Sequence, residues 1–595
     1  MTTDKKIDMI TMGLVNNFLF CLVDEMTQTM IRTAFSPLTR DIFDFQCGFC
    51  CGDGQVILEG QGTLLHSLVF PPLIQHWLMN HRDTTYPGDV IITNDPYSGA
   101  AIGFPGASHL PDIYMLCPIF IGDKLAAWSV AGGHQRDVGG AQPGSCATDS
   151  TEIYQEGLRI PPMKLYEKGV RNDDLYQIIK VNSRVPDIIE GDIEAYRAAC
   201  TTGERRFWEM VELWGWETVE TSFYALLDYA ERLTRAEIQA MPDGEYEFDD
   251  YMDDDGLGYL DAEGNEIADM VLIHLKITVK GDSITYDFTG TAPQVNGAMN
   301  TPFATSRALV AATMRFMMSL DIPRNDGALR PVTLIIPEGT LLNPRLPGAC
   351  AARGATAARE QDTMLGAQAM IVPEKAMAGA SQVDTLLNIG GYDKDGKPFI
   401  VMEGGWGGWG GRPYDDGVEH NTPPHLNAAN APMETQEELY PIMYNEYAFA
   451  PDTEGAGKYR GSLGLIREYK ILSDKATLQL RVDRQRMGPW GLCGGKPGAP
   501  LEAIINPDRE NRHINKINLE MKYGEVLRWI AAGAGGWGDP LERDVHLVKN
   551  DVRNEKVSIR RAREVYGVVI DEKTMGVDLL KTQRLRKTMK KDSVE

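Results

Sequence analysis

The chain has 595 residues, of which 43% are hydrophobic and 24% are charged, and these fractions are typical of globular proteins. Its formal net charge of −25 at pH 7 disfavours binding to nucleic acid or to anionic membranes. The length predicts more than one hydrophobic core, and no run approaches the roughly 18 to 20 consecutive apolar residues that a membrane-spanning helix needs. We therefore expect a soluble protein, and the N-terminal sequence, which lacks a secretory pattern, favours the cytoplasm.

The cysteine pattern also favours a reducing compartment. Nine cysteines, an odd number, are scattered over the chain, which argues against a disulfide framework. Cys47 and Cys50 form an isolated Cys-x-x-Cys pair without a second pair nearby. We interpret both as structural residues rather than as metal or redox groups.

The first 170 residues combine one helix with several short strands. Helical spacing predicts a helix over 8–35 with one face on a core, and its apolar residues are Ile10, Leu14, Phe18, Leu22, Met26 and Met30. Runs of β-forming residues broken by glycine predict strands at 45–51, 55–57, 90–93, 114–121 and 125–131.

The rest of the chain is predicted to be mixed. Apolar spacing predicts helices from about 170 to 240, and strands follow at 271–279, 283–288 and 332–336. Glycine is dense between 385 and 540. The fold class is therefore predicted as mixed α/β (α+β), in five regions: an N-terminal region at 1–170, a helical insertion at 171–245, a mixed middle region at 246–385, a glycine-rich β/loop region at 386–545 and a C-terminal helical tail at 546–595.

Two His-x-x-Asp units carry the most specific chemical signal. They are His109-Leu-Pro-Asp112 and His134-Gln-Arg-Asp137, 25 residues apart. His109 precedes one predicted strand and His134 follows the next, so a hairpin would bring both imidazoles to one end of a sheet. Imidazole and carboxylate are common ligands of divalent zinc, manganese or iron, and we predict a metal site here. The spacing leaves open whether each aspartate binds the metal or orients an imidazole.

Other acidic residues are weaker candidates. Asp41 and Asp44 could each supply a further ligand. The segment 151–159, which contains Glu152, is equally compatible with a loop that holds a general base and with a salt-bridged loop. The eight remaining histidines have no partner at ligand spacing and are assigned core or surface roles.

Several segments together resemble the hydantoinase B / 5-oxoprolinase family over essentially the full length. They are 93–97 (Thr-Asn-Asp-Pro-Tyr), 109–113 (His-Leu-Pro-Asp-Ile), 151–162, 287–293, 489–491, 535–540 and 562–567. The resemblance implies a large mixed α/β subunit that works with a hydantoinase A-type subunit, which binds ATP, and possibly with a small zinc-binding subunit. It implies no biotin, and a phosphate-binding Gly-x-x-x-x-Gly-Lys-[Ser/Thr] loop is indeed absent from the sequence. Its metal ligands would be His109, His134 and Asp44.

Departures from the family pattern bear on the substrate. About seven extra residues precede His109, and the second histidine of a family His-His pair is replaced by Gln135. Arg136 next to it adds a cation that could hold bicarbonate or a phosphoryl group. These features favour an ATP-dependent ketone carboxylase of the acetone or acetophenone type, with Asp112, Asp137, Gln135, Arg136 and Glu152 in catalytic roles. The alternatives are an ATP-dependent hydrolase of a cyclic amide, such as a hydantoin, 5-oxoproline or a lactam, and a scaffold without chemistry.

Overall fold

The structure, a computed structural model, describes residues 7–99, 106–260, 266–267, 269–381 and 386–592. Its α-helices are α1 Met9–Thr33, α2 Phe70–His81, α3 Asp173–Asn182, α4 Pro186–Trp214, α5 Trp216–Gln239, α6 Phe303–Met314, α7 Arg353–Ile371, α8 Met433–Leu439, α9 Val545–Arg553, α10 Ile559–Glu564 and α11 Leu579–Asp592.

The strands of the N-terminal half are β1 Phe45–Cys51, β2 Val56–Glu59, β3 Val90–Thr93, β4 Asp112–Ile121, β5 Lys124–His134, β6 Met163–Glu167, β7 Val170–Arg171, β8 Gly244–Met252, β9 Tyr259–Leu260, β10 Glu266–Ile267, β11 Val271–Lys280 and β12 Ser283–Asp287. Those of the C-terminal half are β13 Val332–Ile335, β14 Leu386–Tyr392, β15 Pro398–Gly404, β16 Ile442–Ala450, β17 Gly464–Ile471, β18 Lys475–Leu480, β19 Glu502–Ile505, β20 Arg512–His513, β21 Ile517–Lys522 and β22 Val526–Ile530. The mixed α+β prediction is confirmed.

The first sheet is a layer between two groups of helices. Its strand order is β2-β1-β5-β4-β3-β6-β7, and every neighbouring pair is antiparallel. Side chains alternate between two cores: Ile113 and Met115 of β4 face the core that contains α1, α4 and α5, whereas Tyr114 and Leu116 face the core that contains α2.

The same alternation explains the cysteine pair. Cys47 and Cys50 both lie on β1 but three positions apart, so they point to opposite faces and enter different cores. Both thiols are buried and free. They therefore cannot share one ion, in agreement with the structural role that we predicted.

Helix α1 exists as predicted, but its buried face differs from the predicted one. Leu22, Met26 and Met30 are buried, whereas Ile10 and Leu14 are 77% and 50% exposed. A strict four-residue spacing turns around a helix by about 40° at each step, so the line through Ile10 leaves the core. The observed stripe combines steps of three and four residues and runs through Met12, Val15, Leu19, Leu22, Met26 and Met30.

By length and composition alone, α1 is apolar enough to cross a bilayer. Here it lies against α4 and contributes to the core beside the first sheet. One face of α1 therefore packs on this core, whereas Ile10 and Leu14 near its start are exposed.

Helices α6 and α7 join the first sheet to a second one, of strand order β13-β12-β11-β8. Almost every residue of α7 is buried, including polar and charged ones. The N-terminus of α7, at Arg353, points toward the edge of the first sheet where β4 begins, because Arg353 binds Asp112 there.

The glycine-rich region forms two further sheets, β15-β14-β18-β21 and β16-β17-β22-β19-β20, which share one core. Its glycines allow backbone segments to touch. A Cβ on Gly410 would lie 2.0 Å from the carbonyl oxygen of Ala378, and one on Gly535 would lie 1.9 Å from that of Trp490. At these positions, glycine is needed for backbone packing rather than for contact with a ligand.

Candidate metal centre

The hairpin of β4 and β5 places both histidine units at one edge of the first sheet, as predicted from the sequence. Asp112, the first residue of β4, pairs across the strands with His134, the last residue of β5. The neighbouring strand β1 starts beside them, because the backbone nitrogen of His134 donates to the carbonyl oxygen of Asp44 at 3.0 Å. His109 reaches the same point from the turn that leads into β4.

Three side-chain atoms converge there. His109 Nε2 lies 3.0 Å from Asp112 Oδ1 and 3.1 Å from His134 Nδ1, and His134 Nδ1 lies 3.0 Å from Asp112 Oδ1. All three residues are buried. The result is a triangle of two imidazole nitrogens and one carboxylate oxygen whose sides are almost equal.

Backbone and side-chain contacts fix the orientation of both imidazole rings. His109 Nδ1 lies 3.1 Å from the carbonyl oxygen of Ala351, which can only accept, so this nitrogen carries the proton and Nε2 presents a lone pair. The second ring nitrogen of His134, Nε2, lies 4.0 Å from Cys146 Sγ. The two rings thus direct their nitrogens at one point for separate local reasons.

The charges around the triangle keep Asp112 ionised and favour a proton on His134. Burial raises the pKa of Asp112, but the adjacent His109 and Arg353 outweigh it and hold the pKa well below its usual range. Burial lowers the pKa of His109 to about 3. Burial also lowers that of His134, but hydrogen bonds to Asp112 and Cys146 raise it to about 10. The Asp112 carboxylate therefore attracts one positive charge to this point.

The donor set fits a divalent metal. Adjacent ligands about 2.1 Å from an octahedral ion lie about 3.0 Å apart, which is close to each side of this triangle. Two histidines and one carboxylate on a single face are a common set for iron, manganese or zinc and leave the opposite positions open. His109, His134 and Asp112 are therefore the residues that would hold the ion.

Asp44, the carboxylate that the family pattern predicts as a metal ligand, contacts His66 rather than the two histidines of the triangle. Its Oδ1 is 3.2 Å from His66 Nε2, and the other ring nitrogen of His66 is 2.9 Å from the hydroxyl of Tyr114. Burial raises the pKa of Asp44, but the hydrogen bond and the charge of His66 bring it below the usual value. Asp44 lines the cavity next to the triangle, and Asp112 takes the position beside the two histidines that we had expected for Asp44.

His66 is a residue of this site that the sequence analysis missed. It has no histidine or acid at ligand spacing, and it reaches the cluster from the short 3-10 turn Leu64–His66 that follows β2. The imidazole is buried, with Nδ1 3.8 Å from Asp112 Oδ2. Only the return of the chain from β2 to the sheet edge brings it there, and no local motif signals that return.

Three residues of the second histidine unit point away from the cavity. Asp137 accepts hydrogen bonds from the backbone nitrogens of Gly144 and Arg184 and from the Arg184 guanidinium, so it fixes loops. Gln135 donates to the hydroxyl of Tyr196 at 2.8 Å. The guanidinium of Arg136 binds the hydroxyl of Tyr440 and lies 4.8 Å from the centre of that ring.

The cations at the cavity are two other arginines. Arg353 Nη2 donates to Asp112 Oδ2 at 2.6 Å, and Arg481 lines the same cavity and lies 3.5 Å from the carbonyl oxygen of Ala351. Arg353 starts α7, so the positive end of that helix points in the same direction. These two arginines would stabilise an anionic group at the cavity. We had expected Arg136 to do so, but it does not line the cavity.

Glu152 is not at the cavity either. Its side chain is exposed and caps the 3-10 turn Ile153–Gln155, in a reciprocal arrangement with Gln155. The buried acid of this loop is Glu156, which accepts from the backbone nitrogens of Cys350 at 2.7 Å and Ala351 at 2.8 Å. Glu156 thereby holds the carbonyl group of Ala351 that orients His109.

Two cavities meet at Trp406. The inner one, with a volume of about 30 Å³, is lined by Asp44, His109, His134 and Arg353. The outer one, of about 410 Å³, is lined by His420, Asn430 and Tyr447 among others. Trp406 and Ala428 line both. Residues 100–105, in the remodelled segment before His109, lie outside the described residues.

Comparison with known proteins identifies the family. The model of the family described as hydantoinase B/oxoprolinase matches residues 8–540. A putative D-/L-hydantoinase subunit from Pseudomonas sp. (strain NS671) is 33% identical over 98% of each chain.

Two solved structures have the same fold. The ATP-dependent caprolactamase from Pseudomonas jessenii superposes with a TM-score of 0.88 at 27% identity and covers 98% of this chain and 100% of its own. Nucleotide-free acetone carboxylase, described for ATP-dependent acetone carboxylation, superposes with a TM-score of 0.89 at 20% identity and covers 98% of this chain and 83% of its own.

The chain therefore belongs to the hydantoinase B/oxoprolinase family.

Proposed function

We propose that this chain is part of an ATP-dependent enzyme that opens a cyclic amide, such as a hydantoin or a lactam, at the cluster of His109, Asp112 and His134. The observation that carries the proposal is the buried triangle of three donor atoms with 3.0 to 3.1 Å sides, open to a cavity with two arginines. A divalent metal held there would act as a Lewis acid on a carbonyl oxygen or a water molecule.

The surrounding residues would stabilise negative charge during the reaction. Arg353, Arg481 and the N-terminus of α7 face the inner cavity, where an activated carbonyl group develops an oxyanion during attack. Asp44 lies on the wall of the same cavity with His66 as its partner. This pair can accept the proton that a water molecule loses when it attacks.

The ATP-binding step would take place on a partner chain. The sequence has no phosphate-binding loop, and relatives are described as subunits. We propose a hydantoinase A-type partner that phosphorylates the carbonyl oxygen of the substrate, and possibly a small zinc-binding subunit. The substrate would reach the cluster through the outer cavity, whose only shared walls with the inner cavity among the described residues are Trp406 and Ala428.

Two observations favour hydrolysis of a cyclic amide over carboxylation of a ketone. Arg136, the cation that favoured a bicarbonate site in the sequence analysis, lies against Tyr440 instead of the cavity. In addition, relatives at 33% and 30% identity over nearly the whole chain are described as a hydantoinase subunit and a caprolactamase subunit.

Carboxylation of a ketone is the second candidate. It is supported by the cationic inner cavity, which suits bicarbonate or a carboxyl phosphate as well as an oxyanion. The likeness to acetone carboxylase, at 20% identity, supports the fold alone.

A substrate panel separates the two reactions. The chain would be purified with its A-type partner and incubated with ATP and either hydantoin, 5-oxoproline and caprolactam, or labelled bicarbonate with acetone and acetophenone. We expect ring opening that depends on ATP and is lost in His134→Ala. Label fixed into a ketone without any ring opening would instead establish the carboxylase.

A further inference from the structure

A third cavity lies behind the candidate metal centre and is lined by two arginines that form no close ion pair with the described residues. It has a volume of about 50 Å³ and lies between the end of α6 and the segments 64–68 and 322–329. Most of its wall is apolar, with residues such as Leu68, Met314, Met318 and Ile322. Arg315 and Arg324 also line this cavity.

Neither arginine forms a close ion pair with the part of the chain that the structure describes, although the charge of Glu59 acts on Arg324. Arg315 Nη1 donates to the carbonyl oxygen of Ile322 at 3.2 Å, and no carboxylate of the described residues lies within 4.0 Å of either guanidinium. Burial lowers the pKa of Arg315 to about 10, and the nearby charge of Arg324 adds to this effect. Burial also lowers the pKa of Arg324, and the charge of Glu59 only partly opposes this effect.

Two acids of this region, Glu59 in the cavity and Asp326, have hydrogen-bond partners of their own. Glu59 lines the cavity, but its carboxylate accepts the backbone hydrogen of Leu68 at 2.6 Å, and burial raises its pKa to about 7. Asp326 binds Arg307 at 2.8 Å and the backbone nitrogen of Val56 at 2.7 Å.

Other buried arginines of this chain form ion pairs with aspartates. Arg359 binds Asp483, Arg484 binds Asp250 and Asp362, and Arg543 binds Asp416 and Asp551. A partly buried guanidinium without a counter-ion is unfavourable, and a chain with 84 acidic residues has many that could have supplied one. Two arginines without a close ion pair favour an anion from outside the chain in this cavity.

We propose that this cavity is a binding site for a small monocarboxylate with an apolar body, held by Arg315 and Arg324. The guanidinium groups match a carboxylate, and the apolar wall between them matches a short hydrocarbon chain. A compact, strongly hydrated anion such as phosphate would leave that wall unused and would lose hydration without replacement.

The site is separate from the candidate metal centre but shares one segment with it. Leu64, Ser67 and Leu68 line the carboxylate cavity, whereas Leu65 lines the inner cavity and His66 binds Asp44. The two sites thus lie on opposite sides of one turn of chain, and a ligand at one does not occupy the other.

Calorimetric titration of the full-length chain with propionate and butyrate tests the proposal. We expect binding that weakens about tenfold or more in Arg324→Gln and in Arg315→Gln, because each change removes a charge-assisted contact. Ala312→Leu keeps both charges and fills the cavity, so it should also abolish binding and remains informative if an arginine variant folds poorly. Arg345→Gln, at an exposed arginine paired with Glu338, is the matched control and should bind as the unchanged chain does.

Two further titrations test whether the binding signal comes from the metal centre or from an inorganic anion in the cavity. His134→Ala should bind butyrate as well as the unchanged chain, because the metal centre is not the site. Butyrate binding that survives Arg324→Gln and Ala312→Leu, or no binding at all, would overturn the proposal. Phosphate or bicarbonate binding more tightly than butyrate in an Arg324-dependent manner would also overturn it, by assigning the cavity to an inorganic anion.

Discussion

Two buried clusters of charged and polar side chains in this protein are arranged differently. In the network around Arg359, the cations Arg359, Arg484 and Lys516 neutralise Asp250, Asp362 and Asp483. At the sheet edge, two imidazoles and one carboxylate oxygen face each other instead, and the Arg353 guanidinium binds the far oxygen of Asp112. The first cluster is complete within the chain, whereas the second has its donor atoms arranged around a point that an ion can occupy.

The largest expected effect is at the second cluster. Asp112→Asn should remove bound metal and lower kcat/KM by more than about a hundredfold, since even the loss of an outer hydrogen bond to a metal ligand costs 10- to 100-fold. Metal content by mass spectrometry and turnover of the complex with its partner are the measurements.

Asp44→Asn is the matched comparison. Because Asp44 binds His66 and Asp112 lies at the triangle, this variant should keep its metal while losing activity. Loss of metal in Asp44→Asn with retention in Asp112→Asn would reverse the assignment and restore Asp44 as the ligand.

Removing an acid from the ion-pair network around Arg359 should lower the stability of the fold rather than the metal content. Asp483→Ala leaves Arg359 and Lys516 buried without their main partner, and we expect the free energy of unfolding to fall by about 3 to 5 kcal/mol. Chemical denaturation measures this, and metal content per folded chain should stay unchanged. An unaltered unfolding midpoint would show that the network does not stabilise the fold.

A buried acid can also be stabilised by protonation, and the pH dependence of stability tests this for Glu360 on α7. Its partner is the hydroxyl of Ser306 at 3.0 Å, and burial raises its pKa to about 8. Since the folded pKa lies above the ordinary value of 4.5, the folded chain holds this proton more tightly. The contribution to stability is complete below pH 4.5 and is lost as the pH rises through 8.

Glu360→Gln should therefore flatten the stability profile. The wild-type chain should lose up to about 1.4 kcal/mol per pH unit from this group between pH 5 and 8, and the variant should not. Unfolding midpoints across that range measure the difference. Parallel profiles would mean that Glu360 is ionised in the folded chain.

The smallest effect is expected at Glu152. Because it caps a short exposed turn, Glu152→Gln should change kcat/KM by less than about twofold and stability by no more than about 0.5 kcal/mol. A loss of activity comparable with that of Asp112→Asn would restore its predicted role as a general base.

Local patterns were sufficient to predict much of the fold. Strand β1 coincides with the predicted run at 45–51, and the hairpin that joins the two histidine units follows from their placement around adjacent strands. The same reasoning did not predict which carboxylate lies between the histidines. That choice depends on the cross-strand register that pairs Asp112 with His134.

The sequence by itself determined most strands of the first sheet, the first helix, the helical segment from about 170 to 240, the family and the two histidines, because alternation, helical spacing and motifs are properties of neighbouring residues. Only the tertiary structure decided that His66, Arg353 and Arg481 lie at the site, that Arg136 and Glu152 lie elsewhere, and that Arg315 and Arg324 share a cavity. These side chains come from segments separated by up to several hundred residues. Their positions depend on how sheets and helices pack, which no local pattern encodes.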